Sequence, residues 1–166
     1  MTTEQNNFLD SVHPYAVEVE NIYGVPVLVS LLMACLESGY GTSKNGNNLF
    51  GIKATSSWKG KTTGSKITKE GSGTVISANF RAYDSWRESF LDFGKVVSNN
   101  WKEAFSLTGD PLKFIDALGS GKLKYYTDPN YVQKVGKILL NIGGKVFPDV
   151  LPFLIVFGLL AVVILK

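Results

Sequence analysis

Glu37 has the surroundings most suggestive of chemistry, because it closes an almost wholly apolar run, Val27-Leu28-Val29-Ser30-Leu31-Leu32-Met33-Ala34-Cys35-Leu36. Burial disfavours the ionised form of a carboxyl group, and the partial negative charge at a helix C-terminus disfavours it further. A glutamate so placed holds its proton near neutral pH, as a general acid must when it protonates a leaving oxygen. An isolated helix-end glutamate is more commonly just solvated, so its neighbours have to carry the assignment. Among the other acids, Glu88 fits a capping box with Ser85, and Asp128 precedes Pro129 as a helix cap would, whereas Asp84 has no such competing role. Cys35 and His13 together evoke a cysteine peptidase, but Cys35 lies on the apolar stripe and His13 precedes Pro14, which fits a buried structural cysteine.

The elements that must position Glu37 can be read from periodicity. Phe8, Leu9, Val12, Ala16, Val19 and Ile22 recur at helical spacing, with Pro14 expected to break or bend the run. Pro26 suits a first helical turn, and Leu28, Leu31, Leu32, Cys35 and Leu36 fall on one stripe of a helix buried nearly all round that Gly39 and Gly41 end. Lys44 to Trp58 is loop-like, and residues 59–69 and 74–83 flank the turn-rich Glu70-Gly71-Ser72-Gly73 as a small β-hairpin. Further helices are predicted to start at Ser85, at Asp110-Pro111 and at Asp128-Pro129, the last running through Val132, Val135, Leu139 and Ile142 to Gly143-Gly144. The expected class is α+β, mostly helical with one small β lobe.

Composition narrows the chemistry. Residues 1–145 carry 16 Lys and Arg against 13 Asp and Glu, a mildly basic balance that suits an anionic polymer or a lipid surface and is too weak and dispersed for nucleic acid. The single cysteine builds neither an intrachain disulfide nor a cysteine-rich metal site, and nothing in the sequence calls for a cofactor or a metal. Residues 1–10 are polar, without the basic patch and apolar core of a secretory signal peptide.

Four segments, in order, carry a family resemblance. Tyr23-Gly24-Val25-Pro26 followed by Ala34-Cys35-Leu36-Glu37-Ser38-Gly39-Tyr40-Gly41 resembles the entry and the A-x-LESGWG-like end of the catalytic helix in flagellar-type β-N-acetylglucosaminidases, glycoside hydrolase family 73. Asn48-Leu49-Phe50-Gly51-Ile52-Lys53 is similar to that family's NLFGIKA segment, and Phe80-Arg81-Ala82-Tyr83-Asp84-Ser85 with Glu88-Ser89 to its FRxYxS stretch. Tyr125-Tyr126-Thr127-Asp128-Pro129-Asn130-Tyr131 resembles its YATDPxY, with Tyr126 where the family usually has alanine.

The resemblance spans about residues 8–142 and implies a lysozyme-like fold that cleaves the β-1,4 bond after N-acetylglucosamine in bacterial peptidoglycan. It places the general acid at Glu37 and a second carboxylate at Glu70, with Asp84 and Asp128 as alternatives. Beside a Gly-Ser-Gly turn, Glu70 could swing over the substrate to activate water, and its bland alternative is a solvated hairpin glutamate among lysines. By family position Tyr125 stands beside the reacting sugar. Asn48 and Phe50 are candidates for the substrate-binding wall, with loop fixing and packing as their competing roles.

Val150 to Leu165 contains no charge, and as a helix its 16 residues would span about 24 Å, short of a hydrocarbon core of about 30 Å. Adding Val146 and Phe147, with Lys166 reaching the interface, nearly closes the gap. The expected division is therefore a lysozyme-like domain over residues 1–145 and a C-terminal transmembrane helix, a membrane anchor, over residues 146–166. A wall hydrolase with an apolar tail and no signal peptide suggests a bacteriophage protein in a virion membrane, with peptidoglycan, lipid and other virion proteins as partners. The competing readings are a lytic transglycosylase and a non-catalytic wall-binding virion protein.

Overall fold

The computed structural model describes residues 1–43, 45–69 and 75–146. The chain forms α1 (Thr3–Tyr23), α2 (Val27–Ser38), a hairpin of β1 (Thr62–Lys69) and β2 (Val75–Arg81), α3 (Trp86–Asn100), a short 3-10 helix (Lys102–Leu107), α4 (Pro111–Gly119) and α5 (Tyr131–Val146). Helix α2 is the central post. Its residues 29–35 are all buried, and α1, α4 and α5 pack around it while α3 lies against α1. A helix apolar on every side has to be enclosed in this way, since no face of it gains from water.

Helix α1 runs unbroken through Pro14, contrary to the expected break. Proline removes one intrahelical donor, but Pro14 faces solvent while Val12, Ala16 and Val19 are fully buried, so water can replace the lost bond and packing keeps the helix continuous. Ile22, expected on the buried stripe, is 56% exposed. Thr2 and Gln5 form a capping box at the start, and Gly24 in the left-handed conformation ends the helix.

The expected caps at Ser85 and Asp110 are present: Ser85 Oγ accepts from the Glu88 N–H, and Asp110 accepts from the N–H groups of Leu112 and Lys113. Helix α5 begins at Tyr131, two residues later than predicted, because Asp128 caps the preceding turn instead by accepting from Asn130 N–H. It also continues past Gly143-Gly144 to Val146. The 3-10 helix was not legible in the sequence.

Strands β1 and β2 pair antiparallel, with partners from Thr62↔Arg81 to Lys69↔Val75 and an irregularity between Thr62 and Ser65. An isolated bridge between Lys53 and Phe80 hangs the loop that follows α2 on β2. No described helix is long and apolar enough to cross a membrane. The expected anchor falls almost entirely on residues 147–166, outside the described residues.

Candidate active site

Glu37 sits on the last turn of α2, where the chain is fixed by short-range bonds. Gly39 adopts the left-handed conformation and its N–H bonds back to the Cys35 carbonyl. The buried Ser38 hydroxyl donates to the Ala34 carbonyl at 2.6 Å and accepts from Gly41 N–H at 2.7 Å. The Glu37 carboxyl emerges from this turn into a cleft of about 480 Å³. One of its oxygens, Oε1, accepts a 2.6 Å hydrogen bond from the Tyr131 hydroxyl. Beside the other passes the backbone of Gly51, where an added Cβ would stand 3.4 Å from Oε2. Glu37 is exposed along the cleft, and the protein packed about its carboxyl raises the pKa by desolvation, against the lowering effect of the Tyr131 hydrogen bond. Among the described residues it is the only carboxylate lining this cleft.

The wall facing Glu37 is the loop 48–53, and the structure gives Asn48 and Phe50 roles in building it. Asn48 is buried, donating to the carbonyls of Ile52 and Arg81 at 2.9 Å each and accepting from Ile52 N–H at 3.0 Å. With its side-chain groups so engaged, Asn48 fixes the loop rather than facing a sugar. Phe50 likewise turns its ring inward, stacked on Phe93 at 4.0 Å and edge-on to Phe90 at 4.8 Å. It reaches the cleft through its backbone, and its carbonyl accepts from the Tyr125 hydroxyl at 2.8 Å. The buried Ser89 hydroxyl accepts from Leu49 N–H at 3.0 Å, which ties the same loop to α3.

Arg81 closes the wall at the hairpin end. Its Nη1 donates to both carboxylate oxygens of Asp92 of α3, at 3.0 and 2.7 Å, and the guanidinium lies over the Trp58 ring at 4.4 Å. Tyr83 also donates to Asp92 at 2.7 Å. The Arg81 backbone N–H donates to the Ile52 carbonyl at 2.9 Å, and that of Tyr83 to the Gly46 carbonyl at 2.8 Å.

Tyr125 lines the cleft with Glu37, its ring edge-on to Phe93 and tilted against Trp101. Burial holds its hydroxyl well above the ordinary phenol range, with the nearby Glu37 charge adding to the effect, so it is a neutral donor at working pH. Tyr126 lies flat on Tyr131, centroids 3.8 Å apart and planes 7° off parallel.

The remaining acids are elsewhere. Asp84 is exposed and paired with Lys61, and does not line the cleft. Asp128 pairs with Lys134, whose hydrogen bond, followed by that of Asn130 N–H, lowers its pKa below the ordinary aspartate range. Glu70 lies outside the described residues. The Cys35 thiol is buried and pushed up to about 12 by desolvation, which keeps it protonated, while His13 is exposed on α1. Among the described residues, no three His, Cys, Asp or Glu side chains gather as metal ligands do.

Tyr131 and Gly51 were not singled out from the sequence. Tyr131 falls in register with Val135, Leu139 and Ile142, so its spacing reads as core, and its ring is indeed buried. Only the tertiary fold brings its hydroxyl to a carboxylate 94 residues earlier.

An acid at the end of a central buried helix, a small β lobe across the cleft and a mostly helical body define the lysozyme-like glycoside hydrolase fold. Residues 13–143 match the glucosaminidase family model, described as mannosyl-glycoprotein endo-β-N-acetylglucosaminidase, and the chain belongs to that family. The peptidoglycan hydrolase FlgJ of Vibrio parahaemolyticus is 32% identical over 139 residues, which make up 78% of this chain and 44% of the relative. The chain thus spans less than half the length of that relative. The glycoside hydrolase domain of FlgJ from Salmonella typhimurium superposes with a TM-score of 0.66 at 29% identity, covering 86% of this chain and 89% of the other. The catalytic domain of the autolysin Auto from Listeria monocytogenes gives 0.68 at 26% identity, covering 86% of each chain.

Proposed function

We propose that this chain hydrolyses the β-1,4 bond after N-acetylglucosamine in bacterial peptidoglycan, with Glu37 as the general acid. The observation that carries this reading is the Glu37 carboxyl itself, open to the cleft and held by Tyr131, with desolvation raising its pKa. Such a group can protonate the glycosidic oxygen while Tyr125, its hydroxyl tied to the Phe50 carbonyl, lines the cleft beside it. Family membership and the peptidoglycan hydrolases among the relatives support the same substrate. In this proposal Glu70 activates the attacking water, and a carboxyl separation of about 6.5–9.5 Å in the substrate complex would leave room for it.

Mass spectrometry of purified peptidoglycan after digestion tests the assignment. The expected products carry N-acetylglucosamine at a new reducing end and the mass of one added water. A 1,6-anhydro end identifies a lytic transglycosylase instead, and an undigested wall that still retains the protein identifies a binding module.

The proposal extends to residues 146–166 as a lipid anchor in a phage virion membrane, supported by their uncharged apolar stretch. A bilayer satisfies such side chains, and a helix satisfies their backbone groups internally. The full chain is expected to float with lipid vesicles in a density gradient, and a chain cut after Lys145 to stay at the bottom while still cleaving wall. Equal flotation of both chains removes the anchor.

A further inference from the structure

Tyr126 lines the cleft and packs against the core, and its ring also touches the residue that holds the acid. Its ring lies face-on to Tyr131, and Tyr131 carries the hydroxyl that holds Glu37. Its outer edge is seated against Gly119, the last residue of α4, where an added Cβ would fall 2.3 Å from Cζ and 2.5 Å from the hydroxyl oxygen. The backbone of Gly119 is not in the left-handed region, so what glycine supplies there is room for the ring. Gly119, Tyr126, Tyr131 and Glu37 thus form one continuous line of contacts from the end of α4 to the acid.

We propose that Tyr126 is a positioning residue, which holds the Tyr131 hydroxyl on the Glu37 carboxyl by clamping the Tyr131 ring between itself and the core. This rests on the reading of Glu37 as proton donor. A phenol can swing about its side-chain bonds, and a 2.6 Å hydrogen bond persists only if the ring is confined. Tyr131 is buried in the core cluster, and the flat face of Tyr126 covers one face of its ring. The consequence is a fixed carboxylate direction and a fixed proton affinity, because the hydrogen bond favours the ionised form against the burial that disfavours it. The other titratable or charged groups around the carboxyl are Tyr125 and Lys124 from the loop before α5, Lys53 from the wall, and Arg81, which is paired with Asp92.

The test is the titration of Glu37 followed by NMR in a chain labelled with ¹³C at glutamate carboxyl carbons, the signal being assigned by its loss in Glu37→Gln. Tyr131→Phe is expected to move the midpoint up, since it removes the bond that favours the ionised form. Tyr126→Leu, which keeps an apolar cover but no flat face, is expected to move it in the same direction and to add nothing when combined with Tyr131→Phe. Gly119→Ala should do the same by displacing the ring from its other edge, and Tyr126→Phe should keep the wild-type midpoint.

In cleavage assays kcat should fall roughly 10-fold or more for Tyr126→Leu, as misplacing a reacting group does. The proposal is overturned if Tyr126→Leu and Gly119→Ala leave the Glu37 midpoint unmoved, or if the effects of Tyr126→Leu and Tyr131→Phe simply add. A chain whose Glu37 titrates in the expected order but which cleaves no glycan overturns the functional reading and keeps the clamp. A chain that cleaves glycan through Glu37 while Tyr126→Leu changes neither midpoint nor kcat does the reverse.

Discussion

Glu37→Gln is expected to lower glycan cleavage about 10³-fold, within the 10²–10⁴ range that a positioned general acid contributes, while the protein keeps its fold. Glutamine preserves shape and can still accept from the Tyr131 hydroxyl, but it has no proton to give. Residual activity near one tenth of wild type would remove Glu37 from the mechanism. The pH profile provides a second check. The acid acts only while protonated, so activity should fall as pH rises through the Glu37 pKa, and desolvation sets that limb above the ordinary glutamate value of 4.5. In the glutamine variant the residual activity should lose this limb.

Phe50→Ala should have the largest effect on stability, about 3–5 kcal/mol, as expected for truncating a buried phenylalanine. The ring is 1% exposed and lies against Phe90 and Phe93 of α3, so alanine leaves a void next to the loop that faces Glu37. The urea midpoint should drop with little change in slope. A loss below about 1 kcal/mol would mean that the ring is dispensable to packing.

The helices were legible in the sequence because their apolar spacing and their caps are local signals. Ser85 and Asp110 mark helix starts through side chains that reach only two or three residues ahead, and Gly39 marks a stop through its own backbone. The position of Glu37 after a fully apolar run was equally local. What the sequence did not disclose depends on contacts between distant segments. Asn48 and Phe50 look like wall residues in a loop, yet their side chains are taken up by Ile52, Arg81 and α3. Tyr131 looks like core and is also the partner of the acid, a double role that spacing cannot express. Pro14 misled in the other direction, because its local penalty is small on a solvent-facing side and tertiary packing overrides it.

The junction at Arg81 also governs how the hairpin can transmit force. Strand β2 ends there, and that one residue is bonded to Ile52, to Asn48 and to Asp92 of α3. A ribbon held so firmly at its root behaves as a cantilever: a load applied far out displaces the free end most and the root least. With β1 about 27 Å long by its eight residues, a sideways load on the outer strands has a long lever arm about Arg81. The root also bears the largest bending moment of such a load, so the Asp92 pair and the bonds to Ile52 and Asn48 are where the stiffness of the ribbon is decided.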